Sequence, residues 1–294
     1  MIKNNLFDSL VSTDWLYERR NDPDLRTFEC TAYLDYLPAG QDAPYRVVSG
    51  RSDYEQAHID GAGFLDIQDE LSDLSSPSHL RFTALPEEAL ASAFGRRGIG
   101  DRCRVVLYAR GRNVWATRVW WLLRSIGFDA AAVLDGGWEK WMREGRPTST
   151  EEPTLTPATL TPHARPELFV NSQAVREAMD EPDTCLINAL DADIHRGENP
   201  RYGRPGRIPT SVSVPASALI NSDTNTFVSD EQAASIFRGV GADPNRRTVL
   251  YCGGGIAATL DAFVLNRLGY DDLAVYDASM SEWARDESLP IETD

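Results

Sequence analysis

The sequence predicts an α/β protein made of two copies of one domain, each a mostly parallel sheet flanked by helices on both faces. Short apolar runs of β type alternate with amphipathic helical segments along the chain, which is typical of parallel sheets covered by helices. Several of these segments also recur about 140 residues later. A period this long indicates a duplicated domain rather than a solenoid of short repeats.

The repeat is carried by pairs of similar segments. The corresponding pairs are 98–100 (GIG) with 239–241 (GVG), 105–108 (VVLY) with 248–251 (TVLY), Trp141 with Trp283, and 58–60 with 207–209. Between the copies, residues 147–168 contain five prolines and few large apolar side chains, which favours an extended connection. The predicted organisation is a first domain at 1–150, a linker at 151–165 and a second domain at 166–294.

The second copy shows the alternation most clearly. Its predicted elements, in order, are a helix at 172–179 with Ser172 as a possible N-cap, strands at 185–188 and 212–214, a helix at 230–237, a strand at 248–251, a helix at 259–268, a strand at 273–276 and a helix at 281–287. Ligands of parallel sheets bind beyond the carboxyl ends of the strands. Cys252 follows such an end directly.

Composition limits the functions that the chain can have. The 29 basic and 45 acidic residues give a formal net charge of −16, which argues against binding to nucleic acids or anionic membranes. No apolar run approaches the ~20 residues of a membrane helix, and residues 1–5 have no signal-peptide core behind them. Four dispersed cysteines favour a reducing, cytoplasmic location. No metal or nucleotide motif is present, so no cofactor is expected.

The loop after the strand at 248–251 is the strongest candidate for a site. Cys252 is followed by Gly253, Gly254 and Gly255, and then by Ile256 and Ala257 at the start of a helix. Such a turn aims several backbone N–H groups and the positive end of the helix dipole at one point. A thiol held there is favoured as thiolate, the nucleophilic form. The glycines indicate that the backbone wraps around something, since packing alone does not require three of them.

The other cysteines and the first copy are predicted to be structural. Cys30, Cys103 and Cys185 lack such a loop, so we interpret them as small core residues. In the first copy, Ala109 takes the position of Cys252, which leaves that copy without a nucleophile. The tryptophans at 115, 120 and 121 are interpreted as core and interdomain packing.

The same loop carries a resemblance to a known family. The segment from Cys252 to Ala258 resembles the active-site loop of the rhodanese superfamily, and in particular that of the 3-mercaptopyruvate branch of the thiosulfate/3-mercaptopyruvate sulfurtransferase family. Residues 57–62 (AHIDGA), 134–141 (LDGGWEKW) and, more weakly, 276–283 (YDASMSEW) are similar to further motifs of the family, in the same order. The resemblance implies two tandem rhodanese-like domains, of which only the second is catalytic.

The resemblance also implies a reaction and its partners. The family moves a sulfane sulfur from 3-mercaptopyruvate or thiosulfate to a thiophilic acceptor, through a persulfide that here forms on Cys252. The loop N–H groups from Gly253 to Ala257 are expected to hold the terminal sulfur. A thiol, thioredoxin or cyanide is the expected acceptor, and neither a nucleic acid nor a membrane is an expected partner.

The substrate residues of the family are only partly present. Four arginines and one glutamate give residues 195–207 a positive balance that suits an anionic donor. Arg201 matches a substrate arginine of the family, whereas the other aligns with Ile194, two positions from Arg196. His58 matches the family's relay histidine, although it also reads as a surface turn residue. The loop hydroxyl of that relay is replaced by Gly254.

The position of the relay's acidic partner depends on which segment is the first strand. That partner aligns near Ser49, but either 25–31 or 45–49 fits the strand pattern. Asn188 and Leu190 also replace an Asp-x-Arg of the family. These changes leave open a non-catalytic protein that binds or senses a small anion. A cysteine phosphatase or arsenate reductase is less favoured, because residues 256–258 provide no arginine for an oxyanion.

Overall fold

The computed structural model describes residues 8–38 and 41–294, so residues 1–5 lie outside the described part of the chain. The strands of the first half are β1 (Leu10–Val11), β2 (Leu25–Glu29), β3 (Ala32–Tyr36), β4 (Tyr45–Ser49), β5 (His58–Ile59), β6 (Gly63–Phe64), β7 (Arg104–Tyr108), β8 (Ala131–Leu134) and β9 (Thr148–Ser149). Its helices are α1 (Thr13–Arg19), α2 (Arg51–Gln56), α3 (Glu87–Arg96), α4 (Val114–Ser125) and α5 (Gly137–Arg143).

The second half repeats this plan with fewer strands. Its strands are β10 (Phe169–Val170), β11 (Thr184–Asn188), β12 (Val212–Ser213), β13 (Arg247–Tyr251) and β14 (Leu273–Tyr276). Its helices are α6 (Ser172–Asp180), α7 (Ala192–His195), α8 (Asp230–Gly239), α9 (Ala257–Arg267) and α10 (Ser279–Trp283), with short 3₁₀ turns at Pro166–Leu168 and Ala216–Leu219. Asn171 caps α6 through its side chain, so Ser172 is its first residue rather than the predicted N-cap.

Each half is built on a parallel five-stranded sheet with the same strand order. The order is β1-β8-β7-β2-β6 in the first half and β10-β14-β13-β11-β12 in the second. The central pairs share one register, since Glu29 lies beside Tyr108 and Asn188 beside Tyr251. The predicted fold class, with two tandem domains of parallel sheet and flanking helices, is therefore confirmed.

Side-chain hydrogen bonds outside the strand ladders repeat as well. The buried Tyr108 hydroxyl accepts a hydrogen bond from the Ile59 N–H at 3.1 Å, and the Tyr251 hydroxyl accepts one from Ile208 at 3.1 Å. The indole N–H of Trp141 donates to the Pro147 carbonyl, as that of Trp283 does to the Pro290 carbonyl. Equivalent tyrosines and tryptophans thus fix equivalent turns in the two halves.

The structure decides which early segment enters the sheet. Leu25–Glu29 forms the sheet strand β2, whereas Tyr45–Ser49 is the second strand of an antiparallel hairpin with β3. The residue at the carboxyl end of the sheet strand is accordingly Glu29, not Ser49. Residues 151–165 contain no helix or strand and run along the first half, where Ala158 N–H bonds the Gly95 carbonyl.

The two halves pack through the helices that follow the central strands. Helix α4 meets α9, and the hydroxyls of Thr117 and Thr259 lie 3.2 Å apart across the contact. Trp120 stands edge-on to Phe263 with ring centroids 4.9 Å apart. Because these helices begin at the carboxyl ends of β7 and β13, their contact brings the two loop ends together around one cleft. Within the described ranges, no helix has the length and apolar character that crossing a membrane requires.

Candidate active site

Cys252 lies at the base of a cleft between the two halves. It follows the last residue of β13 and is 2% exposed, and its side chain lines a cavity of about 380 Å³. The second half contributes residues such as Leu190, Ile194 and Arg201 to the wall, and the first half contributes Trp115 and Tyr45. The cleft is thus assembled from both domains.

The loop after Cys252 presents unpaired donors. Among the residues that the structure describes, the backbone N–H groups of Gly253, Gly254, Gly255, Ile256 and Ala257 donate no hydrogen bond. The loop is instead held by its other groups: the Cys252 N–H donates to the Ser279 hydroxyl at 3.0 Å, and its carbonyl accepts from Met280. Five free N–H groups beside one thiol form a site for an anion or a polarisable sulfur.

In the equivalent loop of the first half, the first two N–H donors are occupied. The Arg110 N–H donates to the Thr31 hydroxyl at 3.0 Å, and the Gly111 N–H donates to the Glu139 carboxylate at 2.7 Å. With Ala109 in place of the cysteine, this loop has no nucleophile, and the N–H groups of the two residues that follow position 109 are already used within the protein. The two copies therefore differ in chemistry although they share a fold.

Packing explains more of the glycine triplet than the sequence suggested. A Cβ at Gly253 would overlap the Tyr202 hydroxyl, and a Cβ at Gly255 would lie 2.6 Å from the Asp277 carboxylate. Gly255 also has a φ of 73°, in the left-handed region that favours glycine. The expectation that packing alone does not require the glycines is therefore wrong for these two positions.

Of the four arginines at 195–207, only Arg201 lines the cleft. Its guanidinium lies 4.2 Å from the ring centroid of Tyr36, and it forms no hydrogen bond or ion pair with any residue in the described ranges. Arg204 bonds main-chain carbonyls at 283, 284 and 286, and Arg207 pairs with Glu292 and Asp294.

The expected substrate role of Arg196 is not supported by its position. Its guanidinium is exposed and forms a two-point pair with Glu198 at 2.8 Å, outside the cleft. A second cation at the cleft comes instead from the first half, where the exposed Arg112 follows the non-catalytic loop. Among the described residues Arg112 has no acidic partner. Sequence inspection missed it because the functional loop lies in the other copy.

His58 is also displaced from its expected place. It is fully buried, stacks on Tyr54 with ring centroids 3.9 Å apart, and its ring nitrogens meet the carbonyls of Tyr54 and Glu151. It does not line the cleft, so neither a substrate contact nor a surface turn describes it. Ser49, the aligned position of its acidic partner, bonds Asp66 instead. The described part of the chain therefore forms no Ser-His-Asp relay through His58.

Asn188 and His195 are the chain neighbours of Ala189 and Ile194, which line the cleft. The Asn188 side-chain oxygen accepts a hydrogen bond from the Leu190 N–H at 3.0 Å, so its amide nitrogen donates to His195 Nδ1 at 3.1 Å. Burial lowers the pKa of His195 to about 4, and the charge of Arg207 acts in the same direction. A neutral imidazole is thus part of the fold next to the residues that line the cleft.

Two tyrosines that sequence inspection did not single out pack onto the catalytic loop. Tyr45 begins β4 in the first half, Tyr202 lies between α7 and β12, and both line the cleft while being almost fully buried. Burial raises the pKa of each, and the neighbouring Cys252 raises both further. Both are therefore neutral hydroxyls close to the sulfur. Nothing in the sequence distinguishes them from the other eight tyrosines.

The remaining cysteines lie away from the cleft. Cys30 is fully buried beside Glu29, and burial raises its pKa well above the ordinary range. Cys103 and Cys185 are half-buried, and all four cysteines are free. Only Cys252 among them combines a cleft, free N–H donors and nearby cations.

The chain is similar in sequence and structure to several known proteins that share one domain family. The rhodanese-like domain family matches residues 12–144 and again residues 173–286. The chain is 31% identical to 3-mercaptopyruvate sulfurtransferase of Homo sapiens, over 96% of this chain and 94% of that protein. It is 30% identical to thiosulfate sulfurtransferase of Rattus norvegicus, over 97% and 95%. Among solved structures, SseA of Escherichia coli, a 3-mercaptopyruvate sulfotransferase, superposes with a TM-score of 0.78 at 26% identity, covering 92% of this chain and 98% of SseA.

Proposed function

The chain belongs to the rhodanese family, and from that premise we propose that it is a sulfurtransferase that works through a persulfide on Cys252. Relatives named for the transfer of sulfur from 3-mercaptopyruvate and from thiosulfate align with it over nearly their full length. The single observation that carries the proposal is the Cys252 thiol at the base of a cleft, followed in the chain by five N–H groups that donate no hydrogen bond to any described residue. A persulfide sulfur placed there would meet donors that the protein itself leaves unused.

The reaction divides into two displacements. In the first, the Cys252 thiolate attacks the sulfur of the donor, an S–S bond forms, and the old bond to that sulfur breaks. Its electron pair leaves with the enolate of pyruvate, or with sulfite when thiosulfate is the donor. In the second, a thiophilic acceptor attacks the outer sulfur and returns the Cys252 thiolate. Such two-step covalent catalysis gives ping-pong kinetics.

We propose that 3-mercaptopyruvate is the better donor. Gly253 and Gly254 offer no cationic side chain to a dianionic thiosulfate, whereas the unpaired Arg201 and Arg112 can bind a single carboxylate from opposite walls. The guanidinium of Arg110, in the same region, is already neutralised by Glu29 at 2.7 Å. The available positive charge is therefore limited and fits a monoanion.

A small or extended thiol is the proposed acceptor. The cleft continues into a second cavity of about 360 Å³, which shares Gly111, Arg112, Val114, Ala216 and Ser217 with the first. This open path would admit a thiol, thioredoxin or, in an assay, cyanide. A reducing compartment such as the cytoplasm is part of the proposal, since it would keep the four free cysteines reduced.

The test is the intact mass of the protein after separate incubation with 3-mercaptopyruvate and with thiosulfate. The expected result is a gain of one sulfur atom that cyanide or a thiol removes. Cys252→Ser should show no gain, whereas Cys185→Ser, which alters a half-buried cysteine outside the cleft, should behave like the unmodified chain. A chain that gains no sulfur from either donor would contradict the proposal and favour a non-catalytic binding protein.

A further inference from the structure

Gly254 brings no hydroxyl to the site, but a hydroxyl occupies the space beside it. A Cβ built on Gly254 would lie 2.9 Å from the Tyr45 hydroxyl oxygen, and the next atoms, of Phe82 and Ser281, would be 3.9 Å away. The backbone at Gly254 is not in the left-handed region, so its conformation accepts a side chain. The close approach of Tyr45, rather than backbone strain, is what excludes one.

The position of Tyr45 is fixed by the first domain. It is the first residue of β4, the second strand of the β3–β4 hairpin, and lies directly opposite Tyr36, the last residue of β3. Its ring packs edge-on against Tyr36, with centroids 6.1 Å apart, and against Phe82 at 6.0 Å. The side chain is 3% exposed, yet it lines the same cleft as Cys252. The hydroxyl is thus delivered to the catalytic loop from the copy that lacks a nucleophile.

We propose that the Tyr45 hydroxyl donates a hydrogen bond to the carbonyl oxygen of an α-keto thiol donor and stabilises the enolate that leaves. This inference rests on the proposed function and names a residue that acts in its first step. It also assigns the paired strands β3 and β4 a part in the reaction beyond closing one side of the cleft.

The electron balance of the step explains why a hydrogen-bond donor is needed at the carbonyl oxygen. When the Cys252 thiolate takes the sulfur, the electron pair of the carbon–sulfur bond moves onto the departing carbon and is delocalised to the carbonyl oxygen. A positioned donor lowers the energy of that developing oxyanion in a dry site. The raised pKa of Tyr45 keeps its proton on the phenol, so the hydroxyl acts by hydrogen bonding, and solvent supplies the proton that converts enolate to pyruvate.

Thiosulfate provides the internal comparison. Its leaving group is sulfite, which carries its charge before the bond breaks and forms no enolate. Removing the Tyr45 hydroxyl should therefore slow sulfur transfer from 3-mercaptopyruvate and not from thiosulfate. A change that only loosened the β3–β4 hairpin or the loop after Cys252 would slow sulfur transfer from both donors.

The first experiment compares Tyr45→Phe with the unmodified chain on both donors, with cyanide as acceptor. We expect kcat with 3-mercaptopyruvate to fall about 100-fold, the effect of losing one oxyanion donor, with KM little changed. Turnover with thiosulfate should stay within about threefold. Tyr270→Phe is the matched control, because it removes another buried tyrosine hydroxyl, one that donates to the Ala242 carbonyl away from the cleft.

The second experiment moves the hydroxyl back onto the loop. In Tyr45→Phe the atom that blocked Gly254 is gone, so Gly254→Ser in that background has room for its side chain. The double variant should recover much of the lost 3-mercaptopyruvate turnover. Gly254→Ala in the unmodified chain keeps Tyr45 but pushes its hydroxyl aside, and should reproduce the donor-selective loss even if Tyr45→Phe does not fold.

The outcomes separate the two proposals. Equal losses with both donors in Tyr45→Phe and Gly254→Ala, or no loss with 3-mercaptopyruvate in either, would overturn the role of Tyr45 and leave the sulfurtransferase assignment standing. An unmodified chain that transfers sulfur from neither donor would overturn the proposed function itself. A chain that accepts thiosulfate alone would keep the function and overturn the inference.

Discussion

Arg118 on α4 and Asp277 beyond β14 form an ion pair across the two halves, with 2.6 Å between Nη1 and Oδ1. The Arg118 side chain is fully buried and also donates to the carbonyls of Gly255 and Phe82, while Asp277 accepts from the Ala84 N–H. One guanidinium thus ties the catalytic loop to the first domain. The non-catalytic copy contributes to the site through this contact as well as through Tyr45.

Breaking that pair should cost both stability and activity. Arg118→Met removes the positive partner and three donated hydrogen bonds, so we expect the free energy of unfolding to fall by about 3–5 kcal/mol. Urea unfolding measures it, and sulfur transfer should fall because the Gly255 carbonyl is released. Arg247→Met is the control: its pair with Asp272 is solvent-exposed and should change stability by about 0–1 kcal/mol. Equal effects from the two variants would contradict the role of Arg118.

Cys252 should be the only cysteine that sulfur transfer requires. Cys252→Ser should abolish cyanide-dependent turnover with either donor, because the serine hydroxyl is not ionised at neutral pH and cannot form a persulfide. Cys30→Ser, Cys103→Ser and Cys185→Ser should keep turnover wherever they remain folded, since none lines the cleft. Loss of turnover in one of these folded variants would count against the assignment.

Substitutions of Arg201 and Arg196 should show whether donor binding depends on a cation in the cleft or on surface charge alone. Arg201→Leu removes an unpaired cation from the cleft wall and should raise the KM for 3-mercaptopyruvate roughly tenfold or more, with a smaller effect on kcat. Arg196→Leu removes the same charge from an exposed pair with Glu198 and should leave KM nearly unchanged. Steady-state kinetics of the two variants show which arginine binds the donor. A larger rise in KM from Arg196→Leu would contradict the assignment of Arg201.

A methyl group at Gly253 should disturb the site through Tyr202. The added Cβ would overlap the Tyr202 hydroxyl and ring, so the tyrosine must move, which costs about 1–3 kcal/mol as overpacking does. Gly253→Ala should therefore lower the melting temperature and slow turnover. Gly239→Ala, where a Cβ meets open space, should do neither. A normally stable and active Gly253→Ala protein would show that the Tyr202 contact is not required.

Stability should fall in mild acid partly through His195. Its pKa is lowered to about 4 in the folded chain, against an ordinary value near 6.5, so the unfolded chain binds the extra proton between these values. The stabilising contribution is complete above pH ~6.5 and is lost as pH falls towards 4. His195→Gln should reduce the drop in melting temperature between pH 7 and pH 5, whereas the same change at the exposed His163 should not. An unchanged drop in His195→Gln would contradict this.

Much of the fold was predictable because its signals are local. Strands such as Arg247–Tyr251 are short apolar runs, and the repeat of such runs indicates duplication without knowledge of any contact. The sequence left open whether 25–31 or 45–49 is the first strand, because both segments satisfy the strand pattern. Only the strand that each segment pairs with decides whether it joins the five-stranded sheet. Leu25–Glu29 pairs with β7 of that sheet, and Tyr45–Ser49 pairs with β3 in a hairpin. The assignment of Ser49 as a strand-end partner failed for the same reason.

The sequence by itself determined the two-domain α/β fold and singled out Cys252 as the candidate nucleophile, because a strand, a glycine-rich turn and a helix start are signals carried by neighbouring residues. Only the tertiary structure decided what surrounds that thiol. In the folded chain Arg201 lines the cleft and Arg196 does not, and His58 is buried in the core. Tyr45 and Arg118, which are distant in the chain, contact the loop after Cys252. A guanidinium or hydroxyl has the same chemistry wherever it occurs. Its function depends on what the folded chain packs against it, and that information lies in contacts between distant residues.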